Sequence, residues 1–156
     1  MATIQPPNWP FSFQGPDEWE VRQPPVKDAA HIFFRGPFLP EAPMAPAITV
    51  EARPATVSSL DKLAQEWVTR RTLIRTFHVL ARRETNLAGI EAVQIDGAYD
   101  MPVPIHSQDA KMVPIRERVI LALHEGKICE LCYRAAETDF DQFLTVFEDL
   151  AASFSL

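Results

Sequence analysis

The chain has 156 residues, and 15 Lys and Arg residues against 21 Asp and Glu residues give it a formal net charge of −6. Its length fits one domain, and its 47% of hydrophobic residues is enough to build a buried core. The acidic balance disfavours nucleic-acid binding, and no apolar run approaches the roughly 18 residues of a membrane span. Residues 1–10 lack the charged start and apolar stretch of a secretion signal. We therefore expect a cytoplasmic protein with one domain over residues 1–156, an extended arm at 1–10, and neither nucleic-acid binding nor membrane insertion.

The N-terminal third is rich in proline and aromatic residues. Ten of the 14 prolines and seven of the 15 aromatic residues lie within residues 1–46. Because proline interrupts helices, this pattern predicts short strands and loops. The predicted strands are 11–13, 19–21 and 31–35, and residues 38–46 are predicted to be an exposed loop.

The rest of the chain alternates between strand-like and helix-like patterns. Strands are predicted at 47–53, 77–83, 90–96, 115–124 and 127–135, with a loop at 101–112. A helix is expected from about residue 58 to 71–73, capped by Ser58, and a second follows Thr138 as its cap. Each helix carries one apolar stripe, so the pattern predicts that both cover one face of a mostly antiparallel sheet. This order of elements is typical of an α+β domain.

Several segments of the chain form a recognisable set. They are the strand ended by Pro54, the Ser59–Ala64 segment Ser-Leu-Asp-Lys-Leu-Ala, and the Leu-Ala-Gly turn at 87–89. Residues 123–135, Leu-His-Glu-Gly-Lys-Ile-Cys-Glu-Leu-Cys-Tyr-Arg-Ala, and the closing phenylalanines of the last helix complete it. From residue 11 to 154 the chain thereby resembles the Mog1/PsbP-like superfamily, and within it the bacterial DcrB-like group. The resemblance implies an α/β/α sandwich that works by binding, without catalysis or a cofactor. Known members include photosystem II accessory proteins, a small-GTPase-binding protein and chaperones that shield effector transmembrane segments in type VI secretion.

The residue types that carry chemistry do not form a recognisable motif. Cys129 and Cys132 spell C-x-x-C, but they fall in a predicted strand, where side chains three apart point to opposite faces. We therefore expect two structural thiols. The four histidines, at 31, 78, 106 and 124, lack metal-site spacing, and no glycine-rich phosphate loop is present. No catalytic, metal or cofactor residue is predicted.

Two groups of residues are candidates for binding a partner. The basic group is Arg70, Arg71, Arg75, Arg82 and Arg83, which either solvates a helix end and a strand edge or binds an acidic partner. The aromatic group is Trp9, Phe11, Trp19, Phe34 and Phe38, which either covers one sheet face or forms an apolar groove for a partner's helix.

The sequence leaves three hypotheses for the function. The first is a non-catalytic binding or adaptor protein with a protein partner, in its most specific form a chaperone that shields a hydrophobic segment, with a homodimer as one arrangement. The second is a small-molecule or enzymatic pocket between sheet and helix. The third is a structural subunit of a larger assembly.

Overall fold

The structure, a computed structural model, describes residues 2–103 and 108–156. It contains two helices and nine strands within those ranges. In chain order they are β1 (Ala2–Ile4), β2 (Phe13–Gly15), β3 (Glu20–Arg22), β4 (Ala30–Arg35), β5 (Ala47–Pro54), α1 (Leu60–Arg71), β6 (His78–Leu87), β7 (Ile90–Val103), β8 (Lys111–His124), β9 (Lys127–Ala136) and α2 (Phe140–Ala152).

Seven strands form one antiparallel sheet in the order β3-β4-β5-β9-β8-β7-β6, while β1 and β2 pair as a separate ribbon. Strands β6 to β9 form a meander with tight turns. The β8–β9 turn places Glu125 and Gly126 at positive φ, which suits a two-residue hairpin. The α+β class and the mostly antiparallel sheet predicted from the sequence are therefore confirmed.

The two helices lie on opposite faces of the sheet, which corrects the prediction from periodicity that they share one face. Alternate residues of β9 show this directly. Leu131 and Tyr133 belong to the core beneath α2, whereas Ile128 and Cys132 belong to the core beneath α1. An apolar stripe shows that a helix is buried, but it carries no information about which side of the sheet buries it.

Helix α2 supplies the larger core. Phe147 is fully buried, and its ring stacks on that of Tyr133 with centroids 5.7 Å apart. The Tyr133 hydroxyl donates a 2.6 Å hydrogen bond to the Phe140 carbonyl, which fixes the start of α2 against β9. Asp139, not Thr138, occupies the N-cap position, and its side chain makes no capping hydrogen bond.

Helix α1 covers β7 and β8 on the other face, with Leu63, Ala64 and Trp67 buried. Ser59, rather than Ser58, caps it, since the Ser59 hydroxyl accepts a 3.2 Å hydrogen bond from the Lys62 backbone N–H. The capping residue therefore lies one position later than the sequence predicted.

The β7–β8 hairpin is longer than predicted and replaces much of the expected loop at 101–112. Its ladder continues through Met101↔Val113 and Pro102↔Met112 to Val103↔Lys111. The neighbouring strands end earlier, with β6 beginning opposite Ala98 and β9 ending opposite Ile115. The last four residue pairs of the ladder therefore form a two-stranded extension without a further described strand on either side, where a proline costs no hydrogen bond to an outer strand.

Within the described ranges, neither helix is long and apolar enough to cross a membrane.

Candidate binding surfaces

The structure divides the predicted aromatic group between core and surface. Phe11 and Phe34 are only 2% and 1% exposed and belong to the core beneath α2, so they are removed from the candidate surface. Trp9 and Trp19 are partly buried against the same core. Phe38 alone stands out, with 68% of its surface exposed. Most of this group therefore follows the first interpretation left open by the sequence, that of covering a sheet face.

The predicted basic group does not form one patch. The Arg71 Nε lies 3.0 Å from a carboxylate oxygen of the buried Glu117. Arg82 pairs with Asp61 of α1 at 2.7 Å on one face of the sheet. Arg83 donates a hydrogen bond to Gln94 on the other face. The two remaining members, Arg70 and Arg75, are exposed in and just after the last turn of α1. Only these two retain the arrangement that an acidic partner would need.

Strand β6 is the open edge of the large sheet, a feature that the sequence analysis missed. It runs for ten residues, and all but Thr85 and Leu87 are exposed. The opposite edge, β3, has only three residues. A long unpaired edge exposes a row of backbone N–H and C=O groups that can pair with another strand. The three consecutive charged residues Arg82, Arg83 and Glu84 were the available signal, because they place charge on both faces of the strand.

Exposed apolar side chains concentrate at one end of this edge. Eight large hydrophobic residues are exposed in the described chain, and four of them belong to the α1–β6 connection, the start of β6 and the β7–β8 extension. Leu73 and Met112 are 87% and 61% exposed, and Leu80 lines a hollow of about 380 Å³ with Pro114. We name Leu73, Val79, Leu80 and Met112 the apolar end surface. Exposed apolar residues gathered at one end of a sheet are candidates for an interaction site.

A buried ion pair anchors α1 beside this surface. Glu117 is 1% exposed, and its carboxylate lies 3.0 Å from Arg71, although the two groups are not aligned for a hydrogen bond. Burial raises the pKa of Glu117, and the nearby Arg71 guanidinium opposes that shift. Arg71 also lies over the Trp67 ring, 4.9 Å from its centroid. The pair therefore ties the last turn of α1 to β8.

Two further concave sites could admit a small molecule. A hollow of about 380 Å³ beside α1 is lined by charged residues that include Arg53, Arg70 and Glu130. Arg53 is already paired with Glu130 at 3.3 Å, so Arg70 is the free cation of this site among the described residues. A cleft of about 870 Å³ lies between residues 6–9 and 23–29, walled in part by five prolines, with Lys127 over the Trp9 ring at 5.9 Å.

The cysteines and histidines, the remaining residues with chemical potential, do not form a site in the described ranges. Cys129 and Cys132 are both buried, free thiols on opposite faces of β9, so the expectation that the two sulfurs diverge is confirmed. Burial raises the pKa of Cys129 to about 11. His31 lies 3.0 Å from Glu51, and His106 falls outside the described residues. In the described ranges, no group of three His, Cys, Asp or Glu side chains is placed to hold a metal ion.

No protein-family model and no curated protein matches the chain, but solved structures share its fold. A protein of unknown function from Pseudomonas aeruginosa, PA94, is 13% identical and superposes with a TM-score of 0.62 over 95% of this chain and 91% of its own. LpqN, involved in cell envelope biogenesis of Mycobacterium tuberculosis, is 15% identical, with a TM-score of 0.61 over 99% of this chain and 88% of its own. Cyanobacterial PsbP from Synechocystis is 10% identical, with a TM-score of 0.63 over 99% of this chain and 91% of its own. The chain therefore has the PsbP-like fold, as the sequence resemblance implied, and at these identities the likeness concerns the fold alone.

Proposed function

We propose that this chain is a non-catalytic binding protein that shields an apolar segment of a protein partner, and that the apolar end surface is where the segment binds. The observation that carries the proposal is the concentration of exposed Leu73, Val79, Leu80 and Met112 at one end of the sheet. Burying an exposed leucine or methionine against a partner is worth roughly 1.5–3 kcal/mol. A few such contacts suffice for specific binding.

The architecture around the surface also favours a segment-binding role. The β7–β8 extension projects past both neighbouring strands, and an isolated two-stranded ribbon is only marginally stable in water. Its apolar residues, with Met101 and Val113 half-buried and Met112 exposed, would gain contacts from a bound segment. Methionine suits such a surface because its flexible side chain adapts to different partners.

Two exposed arginines beside Leu73 extend the proposal to the charge of the partner segment. Arg70 and Arg75 flank the exposed Leu73 in sequence, on a protein with a net charge of −6. A partner segment with acidic residues beside its apolar stretch would match this arrangement. Binding should then weaken as the salt concentration rises, because exposed charges are screened.

The test uses a synthetic peptide of 20 Leu and Ala residues with two Asp residues at one end, which aggregates in buffer. Turbidity is followed with and without an equimolar amount of the protein. We expect the protein to keep the peptide dispersed, and the double variant Leu73→Glu with Met112→Glu to lose at least about tenfold in apparent affinity, since two apolar contacts are removed.

The control is Val21→Glu, which replaces an exposed apolar residue by glutamate on the opposite edge strand, at a residue 46% exposed. This variant should behave as the unchanged protein. A peptide that aggregates equally with and without the protein, or equal effects of all variants, would contradict the proposal.

The charged hollow beside α1 favours a second candidate function, the binding of a small anion. Its free cation is Arg70, within a lining that also holds Arg53 and Arg71. Calorimetric titration with inorganic phosphate tests it, and Arg70→Ala should abolish any heat of binding. An unchanged titration in that variant would exclude this site.

A further inference from the structure

We propose that β6 is a dimerisation edge, on which β6 of a second copy of this chain pairs antiparallel. The two edges of the sheet differ in a way that supports this. β3 exposes only three residues to a further strand, whereas β6 exposes ten. Short edge strands are one means by which proteins prevent edge-to-edge association. That protection is present at β3, whereas β6 is long and keeps a regular register from Ala81 to Leu87, after the shift between Val79 and Ala81.

The charges of β6 match a second copy of the same strand. Arg82 and Glu84 pair in the sheet with Ile95 and Val93, which both belong to the core beneath α1. Their side chains therefore share that face of the strand. When two β6 strands pair antiparallel about a two-fold axis at Arg83, each Arg82 lies directly opposite Glu84 of the other copy. Opposite charges in directly facing positions stabilise a strand pair, and like charges destabilise it.

Other registers with the same symmetry bring like charges together. The Arg82 guanidinium contacts Asp61 of α1 at 2.7 Å, so the second copy's Glu84 would share it with that carboxylate, which reduces the gain from each facing pair. Shifting the axis to residue 82 or 84 would place two arginines or two glutamates opposite each other. The charge pattern therefore selects the register about Arg83.

The residue on the axis limits the affinity. Arg83 would lie directly opposite Arg83 of the second copy, on the sheet face where it donates a 3.1 Å hydrogen bond to Gln94. Two facing arginines repel each other, so we expect a reversible dimer. Arg83→Thr should tighten it several-fold, because it replaces the repulsion with a Thr–Thr pair.

The test exchanges the two charges of the strand and follows mass by sedimentation velocity. The unchanged protein at tens of micromolar should sediment at twice the chain mass of 17.6 kDa. Arg82→Glu or Glu84→Arg alone should weaken the dimer about tenfold or more, since each change turns two attractive pairs into two repulsive ones.

Mixing the two single variants gives the decisive result. A heterodimer of Arg82→Glu with Glu84→Arg has opposite charges at both facing positions, so the mixture should recover the dimer, and so should the double exchange in one chain. This recovery also shows that the single variants are folded. A monomeric unchanged protein, single variants that remain dimeric, or a mixture that stays monomeric would each overturn the proposal. Val21→Glu on β3 should leave the dimer intact.

The dimer and the proposed function are tested separately. Sedimentation is measured without any peptide, and the peptide test uses substitutions outside β6. Both proposals involve Val79 and Leu80 of β6, but the two measurements use different variants and different readouts, so the failure of one is distinguishable from the failure of the other.

Discussion

Phe34 and Phe38 lie four residues apart, and the same substitution at each should have opposite consequences. Phe34 is 1% exposed and Phe38 is 68% exposed. The Phe34 ring packs edge-on against Phe13, with centroids 6.0 Å apart, and a Cβ placed on Gly15 would lie only 3.3 Å from it. Phe34→Ala therefore leaves a cavity in a closely packed region that cannot easily collapse.

The expected magnitudes differ by several-fold. A buried phenylalanine removes roughly 200 Å² from water, which at about 25 cal/mol per Å² is about 5 kcal/mol. Core Phe→Ala substitutions cost about 3–5 kcal/mol, a large part of the roughly 5–15 kcal/mol that stabilises a domain. Phe38→Ala should change the free energy of unfolding by less than about 0.5 kcal/mol.

Urea unfolding followed by circular dichroism measures both variants. Phe34→Ala should shift the midpoint strongly toward lower urea with an unchanged slope, and Phe38→Ala should overlay the unchanged protein. Equal shifts for the two variants would refute the division of the aromatic group into core and surface.

Three further predictions concern buried groups. Burial raises the pKa of Glu117, so the unchanged protein should lose stability relative to Glu117→Gln as the pH rises from about 4.3 through that raised pKa. The urea midpoints of both proteins are compared over this pH range, and a relative gain in the midpoint of the unchanged protein would contradict this expectation. Cys129, with a pKa of about 11, should react with a thiol reagent at pH 8 only after unfolding, and fast labelling of the native protein would contradict its burial. Gly97→Ala should cost about 1–3 kcal/mol in thermal unfolding, since its Cβ would lie 2.6 Å from the Phe77 ring, and an unchanged midpoint would refute that close contact.

The meander and both helices could be predicted because their signals are local. Two apolar runs on either side of the turn at Glu125-Gly126 identify a hairpin, and the regular spacing of phenylalanines from residue 140 identifies α2. The positions of the helices on the two sheet faces depend on contacts between distant segments. The resemblance to a family supplied that information, and periodicity did not.

The candidate surfaces depended still more on long-range structure. Phe34 and Phe38 have the same side chain, and only the pairing of β4 with β5 decides that the first lies inside the core. Likewise, Leu73 follows directly after an amphipathic helix, and its exposure results from where α1 ends on the sheet. The sequence does mark Glu117, since the run Arg116-Glu117-Arg118 interrupts an apolar strand, and that signal was not used.

Hydrogen exchange tests the central claim most directly, which is that partners bind at the apolar end surface. Backbone amide exchange is measured by mass spectrometry in the presence and absence of the Leu/Ala peptide. When the peptide is bound, we expect slower exchange in the α1–β6 connection, at the start of β6 and in residues 111–114. Slower exchange confined to the proline-walled cleft at residues 23–29 would contradict it.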